Sequence, residues 1–198
     1  MHSYTEQQFN IPDLQGLSAK QLGEHLKLYA GYVKHVNLIR EKIRELEGDK
    51  EKNAYLISEL RRRFSFEFNG MRMHEYYFET FEGGPTAPIE SSPLEQNLVE
   101  KYGDIEKWLE HFKTVGMTRG IGWAVLYLDP KAREPHTVWV GDHELGTLAG
   151  LPILLAMDMW EHAYMVDYAP SEKKNYIEAF FKNVNWGVVE KRFQQTQA

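Results

Sequence analysis

The chain contains no cysteine, which excludes disulfide bridges and thiolate metal sites. Basic residues number 23 against 29 acidic ones, and the net charge of −6 disfavours a general nucleic-acid binder, because such proteins present a basic face. No apolar run approaches the roughly 18 residues that a membrane span needs. Residues 1–6 have neither the basic start nor the apolar core of a signal peptide. We therefore expect a cytoplasmic protein with no nucleic-acid or membrane partner.

The chain contains enough apolar side chains to form a hydrophobic core. Hydrophobic residues make up 42% of its 198 residues and aromatic residues 13%, which excludes a disordered chain. This length suits one compact unit or two small units that pack closely together.

Two long helical patterns open the chain. Ser18 and Gln21 form a predicted capping box, in which the Gln21 side chain reaches back to the Ser18 backbone. Apolar residues then recur on one helical stripe as far as Leu46. A second helix is predicted from about residue 49 to residue 81, with Gly70 as a candidate bend. The short connection predicts an antiparallel hairpin.

The second half of the chain changes its period. Two shorter helices are followed by segments with strand patterns and then by two more helices. The predicted ranges are 94–102 and 104–115 for the first helices, 122–128, 136–140 and 151–157 for the strands, and 175–181 and 188–193 for the last helices. We predict an α+β fold: a long N-terminal antiparallel helical hairpin, then an α/β unit whose small three-stranded antiparallel sheet is flanked by helices. The predicted domains are residues 1–88 and 89–198.

Asp158 and His162 lie four residues apart, directly after the apolar run 151–157. Burying such polar groups unpaired costs several kcal/mol, so they need partners. A carboxylate and an imidazole suit Fe, Mn or Zn. Taken alone, the pair is also compatible with a strand that ends in a polar loop.

Of the eight histidines, His25, His74 and His162 lie among aromatic residues on otherwise apolar stretches. Each alone is compatible with a buried structural histidine. Together with Asp158 they form a set of three imidazoles and one carboxylate, which fits a redox-active Fe or Mn centre with an open position. A di-iron helical bundle is disfavoured because no histidine follows a glutamate by three residues. Hydrolytic zinc chemistry stays open, although the sequence places no general base.

The segment Asp158 to Tyr164, DMWEHAY, closely resembles the metal-site signature of the iron/manganese superoxide dismutases. Four other segments resemble the family in the same order, so that the resemblance covers nearly the whole chain. They are His25 ahead of Tyr32-Val33, residues 68–78 with the following Gly83-Gly84-Pro85, the Gly-x-Gly-Trp pattern at residues 120–123, and the C-terminal segments 175–176 and 183–186.

The resemblance implies that the protein converts superoxide anion to oxygen and hydrogen peroxide with one Fe or Mn ion per chain, iron being slightly preferred. The implied ligands are His25, His74, Asp158 and His162. Tyr32 would stand at the substrate funnel, and His143 would hydrogen-bond the solvent on the metal.

The resemblance also implies surroundings and an assembly. Trp123, Phe78 and Trp160 would form a hydrophobic shell around the metal. Glu161 would pair with the partner's His162 across a homodimer interface, and a dimer of dimers is equally open.

The first helix departs from the family pattern. His25 precedes Tyr32 by seven positions where the family has eight, so Glu24 is an alternative ligand, although we prefer His25. Leu28 or Tyr29, together with Met165, stands where the family has an outer histidine–tyrosine pair. A catalytically degenerate homologue that only binds metal is therefore the alternative function. Two lysines of this helix, Lys27 and Lys34, are candidates for attracting the anionic substrate, although solvated lysines are the simpler interpretation.

Overall fold

The computed structural model describes residues 2–196. Its first half is a helical hairpin of α1 (Ala19–Leu46) and α2 (Ala54–Glu79), joined through a 3₁₀ turn at Glu47–Asp49. The helices are antiparallel, since Tyr29 contacts Glu75 near one end and Glu47 contacts Arg61 near the other. The predicted hairpin is confirmed, although α2 begins five residues later than predicted.

The predicted capping box is only half correct. The Ser18 hydroxyl accepts a hydrogen bond from the Gln21 backbone N–H at 3.0 Å, as a helix N-cap does. The Gln21 side chain does not return to Ser18. It donates instead to the His162 carbonyl at 2.6 Å and accepts from the Val166 N–H at 3.0 Å. The Ser18 N–H donates to the Asp167 carboxylate, so the buried amide of Gln21 is free to pair two distant backbone groups.

The second half contains an antiparallel sheet of three strands in the order β2-β1-β3. The strands are β1 (Gly122–Asp129), β2 (Glu134–Gly141) and β3 (Ile153–Asp158). The predicted start of β3 at Leu151 is wrong by two residues, because Pro152 has no N–H to donate to a neighbouring strand. Asp158 is the last residue of β3, and the register pairs it with Trp123 of β1.

Four further helices flank the sheet. They are α3 (Pro93–Tyr102), α4 (Ile105–Gly116), α5 (Lys173–Asn183) and α6 (Trp186–Gln195). Asp104 caps α4 by accepting from the Lys107 N–H at 2.6 Å, and Pro93 lies in the first turn of α3. The predicted α+β fold is therefore confirmed, and the division at residue 88 stays a prediction. Within residues 2–196, no helix is both long and apolar enough to cross a bilayer.

The core is rich in aromatic side chains, which come from α2, α4, β1 and the C-terminal helices. Phe78, Phe81, Trp108, Phe112 and Trp123 are fully buried. The buried histidines lie against this aromatic core: Phe78 contacts His25, and Trp123 contacts His74.

Candidate metal centre

Four polar side chains from distant parts of the chain meet between the hairpin and the sheet. His25 comes from α1, His74 from α2, Asp158 from the end of β3 and His162 from a 3₁₀ turn, Glu161–Ala163. One donor atom from each lies within 4.8 Å of the others. The side chains of His25, His74 and Asp158 are at most 1% exposed, whereas that of His162 is 20% exposed. The structure thus brings together all four residues predicted from the sequence.

The Asp158 Oδ2 atom is the centre of this cluster. It lies 3.0 Å from His25 Nε2, 3.1 Å from His162 Nε2 and 3.5 Å from His74 Nε2. Two donors that bind one ion at about 2.1 Å and at right angles lie about 3.0 Å apart, so these separations match a shared ion. The other carboxylate oxygen, Oδ1, accepts from the Trp160 N–H at 2.8 Å, which fixes the orientation of the carboxylate.

His74 carries the clearest sign of a missing partner. Its Nδ1 lies 2.6 Å from the Gly70 carbonyl oxygen, which only accepts, so Nδ1 bears the proton. The Nε2 atom is therefore a bare lone pair, and it is buried without a hydrogen-bond partner. Buried polar atoms are rarely left unpaired. A metal ion in the cluster would satisfy this atom.

The charges in the cluster also fit a cation. Burial lowers the pKa of His25 and, more strongly, that of His74, so both imidazoles are neutral at pH 7. Burial alone would raise the pKa of Asp158, but its interactions with His162 and His25 outweigh burial and hold that pKa below its usual range. His25 and His74 therefore offer neutral imidazoles beside one carboxylate anion, and such donors suit Fe or Mn.

The structure places Glu24 outside the cluster. Glu24 is half exposed and binds Lys27 at 2.8 Å on the helix surface. Seven residues of an α-helix turn through about 700°, about 20° short of two turns, so Tyr32 lies on the same face as His25. The family spacing of eight is therefore not needed to bring these two side chains to one side of α1.

A chain of hydrogen bonds runs beside the cluster. Trp123 Nε1 donates to His143 Nδ1 at 2.9 Å, and His143 Nε2 lies 2.8 Å from the Tyr32 hydroxyl. Because the indole N–H only donates, Nδ1 of His143 accepts and its Nε2 carries the proton. His143 therefore donates to the Tyr32 oxygen. Burial lowers the pKa of His143 to about 4, which keeps the imidazole neutral at pH 7.

The three aromatic residues predicted to surround the site all contact its histidines. The Phe78 ring lies 4.9 Å from that of His25, and the Trp123 ring lies 5.1 Å from that of His74. Trp160 stacks on His143 at 4.9 Å and on His162 at 5.6 Å. Aromatic walls of this kind limit access of water.

Sequence reasoning did not identify two residues that shape the site. Phe66 contacts His143, with ring centroids 4.6 Å apart. Gly70 faces the Tyr32 ring so closely that an added Cβ would lie 2.6 Å from its Cδ1 atom. Gly70 is therefore a close-approach glycine and not a bend, since α2 continues through it. The role of Gly70 follows from the packing of α1 on α2, and that of Phe66 from the packing of α2 against the loop after β2.

Two departures from the family pattern have visible consequences. Tyr29 is buried and donates to Glu75 Oε1 at 3.1 Å, away from the cluster. Leu28 and Met165 are exposed, at 43% and 49%. Glu161 is exposed beside His162, and its side chain has no hydrogen bond or ion pair within residues 2–196.

Comparison with known proteins places these features in a family. The family model described as iron/manganese superoxide dismutases, C-terminal domain, matches residues 90–192, just over half of the chain. An iron superoxide dismutase of Aquifex pyrophilus is 34% identical over 189 residues, which cover 92% of this chain and 87% of the relative. A manganese/iron superoxide dismutase of Aeropyrum pernix is 34% identical over 177 residues, which cover 86% and 79%. An iron superoxide dismutase of Tetrahymena pyriformis is 32% identical over 185 residues, which cover 90% and 93%.

The family match covers the strand and the turn that carry Asp158 and His162, and the relatives extend the similarity over most of the chain. With the cluster of three imidazoles and one carboxylate, they lead to one conclusion. The chain belongs to the iron/manganese superoxide dismutase family.

Proposed function

We propose that this protein is a superoxide dismutase that works with one Fe or Mn ion per chain, held by His25, His74, Asp158 and His162. The observation that carries the proposal is the unpaired, buried Nε2 of His74, which points to an ion in a cluster of the family's ligand types. The reaction converts two superoxide anions and two protons to oxygen and hydrogen peroxide. The bound metal supplies the one-electron oxidation and reduction.

The protein itself supplies a proton donor, the hydroxyl group of Tyr32. Because His143 donates to the Tyr32 oxygen, the hydroxyl proton of Tyr32 is free to be donated in another direction. Burial raises the pKa of Tyr32, so the phenol stays protonated at pH 7. We infer that Tyr32 gives this proton to the peroxide product and that His143 fixes the orientation of the hydroxyl group.

Other residues around the site exclude water and orient the metal ligands. Trp123, Phe78 and Trp160 pack against all four histidines around the site and leave His162 as its most exposed member. The Gly70 carbonyl sets the tautomer of His74, and the Trp160 N–H fixes the Asp158 carboxylate. Such supporting contacts commonly change metal affinity or activity 10–100-fold when removed.

The slight preference for iron over manganese stays part of the proposal. Two of the relatives named above are iron enzymes and the third is a manganese/iron enzyme. Fe and Mn have similar ligand preferences, so the donor set itself suits both.

We further propose that the protein is a homodimer in which Glu161 binds the partner's His162. The support is the exposure of Glu161 next to the one partly exposed histidine of the cluster. Light scattering after gel filtration measures the assembly; Glu161→Gln should weaken the dimer, and a tetramer would indicate a dimer of dimers.

A cytoplasmic location is proposed from the lack of cysteine, and cell fractionation tests it.

The decisive experiment measures superoxide dismutation by purified protein whose metals are quantified by elemental analysis. Metal-free protein is divided and reconstituted with Fe or with Mn. Activity that follows about one Fe or Mn per chain supports the proposal and identifies the working metal. A folded, metal-loaded protein without turnover would overturn it and favour the degenerate homologue.

A further inference from the structure

Arg63 lies on the surface of α2, where its side chain packs on an aromatic ring. Its guanidinium carbon lies 3.7 Å from the centroid of the Phe66 ring, close enough for a cation–π contact. The Arg63 side chain is 49% exposed, so the cation faces solvent while it rests on the ring.

The ring under Arg63 is part of the wall around the hydrogen-bonded pair His143 and Tyr32. The centroid of Phe66 lies 4.6 Å from that of His143, 6.2 Å from Tyr32 and 6.3 Å from Trp160. Arg63 is therefore one aromatic ring away from the group that we propose as the proton donor.

The guanidinium group is held in place. Its Nε and Nη2 atoms both lie 2.8 Å from Glu67 Oε1, and Glu67 is buried one turn further along α2. The second Glu67 oxygen lies 3.8 Å from His35 Nδ1. Only part of the five N–H donors of Arg63 is used by Glu67, so the others stay available to an approaching anion.

The charge of Arg63 reaches the site. Burial raises the pKa of Tyr32, and the positive charge of Arg63 partly opposes this rise. Burial also lowers the pKa of His143 to about 4, and Arg63 contributes to that lowering. Both effects require the guanidinium to be close to these two side chains.

The lysines considered from the sequence lack such contacts. Lys27 is 73% exposed and paired with Glu24, and Lys34 is exposed on the same helix. Arg62, next to Arg63, is 71% exposed and paired with Glu59.

We propose that Arg63 is the residue that draws the superoxide anion to the site, an inference that rests on the proposed function. On a chain with a net charge of −6, a fixed cation beside the wall of the site offsets the repulsion that a small anion meets. Glu67 holds the cation in position but also reduces its field, so Arg63 acts over short range.

The test compares Arg63→Ala with the matched control Arg62→Ala, both iron-loaded and checked for equal iron content and unfolding midpoints. Two quantities are measured across ionic strength: kcat/KM for superoxide, and the Kd of azide, a small monovalent anion, from absorbance titrations. The second readout needs no turnover.

At about 10 mM ionic strength, we expect Arg63→Ala to lower kcat/KM and raise the azide Kd by about three- to tenfold. The difference should vanish above roughly 0.5 M salt. Arg62→Ala should change neither quantity more than about 1.5-fold, because within residues 2–196 its side chain contacts none of the aromatic residues around the site and is 71% exposed. Arg63→Lys should retain most of the effect, because it keeps the charge.

Equal behaviour of the two alanine variants, or a loss for Arg63→Ala that is the same at every salt concentration, would overturn the inference. A constant loss would mean that Arg63 acts by packing Phe66. If the wild-type protein does not turn over superoxide but its azide affinity depends on Arg63 and on salt, the proposed function fails while the anion-attracting role stands.

Discussion

The two sides of the metal centre are built in different ways. His25 and His74 lie in the interior of long helices, whose backbone is fixed by helical hydrogen bonds and by the packing of α1 on α2. His162 lies in a short 3₁₀ turn after β3, where few such constraints exist. Side-chain hydrogen bonds replace them: Gln21 binds the His162 carbonyl and the Val166 N–H, and Ser18 binds Asp167.

This difference predicts which substitutions should damage each side of the site. The helical side depends on close packing, so it should fail where a side chain is made larger. The loop side depends on a few hydrogen bonds, of which those of Gln21 are partly buried, so it should fail where a single polar group is removed. Each side can be tested with its own substitution.

The largest effect is expected where the two sides meet. Asp158→Asn removes the carboxylate whose Oδ2 faces all three histidines. The amide that replaces it carries no charge and is a poorer metal ligand than a carboxylate. We expect metal affinity to fall by more than about 100-fold, which exceeds the usual cost of losing an outer partner. Equilibrium dialysis with elemental analysis measures it. His111→Gln, an exposed histidine, serves as the control, and unchanged metal content in Asp158→Asn would remove this residue from the site.

The loop side is broken by Gln21→Leu. This change leaves the His162 carbonyl and the Val166 N–H without partners. We expect the free energy of unfolding to fall by about 1–3 kcal/mol, because two partly buried hydrogen bonds are lost and each contributes about 0.5–1.5 kcal/mol. Urea denaturation of metal-free protein measures the loss.

A second variant sharpens this test. Gln21→Glu keeps an acceptor for Val166 but places a buried carboxylate oxygen against the His162 carbonyl oxygen, so its stability should fall at least as far as that of Gln21→Leu. If Gln21→Leu were as stable as the wild type, the loop would have to be held by other contacts.

The helical side is broken by Gly70→Ala. The added Cβ would lie 2.6 Å from the Tyr32 ring, which must shift and thereby disturb the hydrogen bond between Tyr32 and His143. We expect a loss of about 1–3 kcal/mol, as is typical of overpacking, together with a lower turnover rate. Gly31→Ala is the matched control: nothing lies within 4 Å of its added Cβ, so it should raise stability by about 0.5–1 kcal/mol. Equal effects of the two substitutions would contradict the close approach.

The last effect concerns His143, which lies in the loop after β2, and it is present only when the pH is lowered. Its pKa is lowered to about 4 in the folded protein, from 6.5. The unfolded chain therefore binds more protons between these values, and stability falls as the pH falls through this window. His143→Gln does not titrate. Between pH 8 and pH 5, the wild type should lose about 2 kcal/mol more than this variant, in metal-free protein. Parallel pH profiles would show that His143 titrates normally.

The fold could be predicted because its signals are local. The apolar stripe of α1, the N-caps Ser18 and Asp104 and the change of period after Gly116 each depend on neighbouring residues. The donor types of the candidate site were also visible, since buried histidines among aromatic residues are unusual.

What the sequence could not reveal depends on residues far apart in the chain. Gln21 and His162 are separated by 141 positions, and a local motif suggested a different partner for Gln21. Arg63 looks like its neighbours Arg61 and Arg62 in the sequence, and only the packing of Phe66 distinguishes it. The role of Gly70 likewise follows from the approach of Tyr32.

The hydrogen-bond chain from Trp123 through His143 to Tyr32 has one direction. An indole N–H donates but does not accept, so Trp123 closes the buried end of the chain. A proton that leaves Tyr32 cannot be replaced from that end. If Tyr32 donates a proton as proposed, replenishment must come from water on its partly exposed side, so each turnover depends on contact between Tyr32 and the solvent.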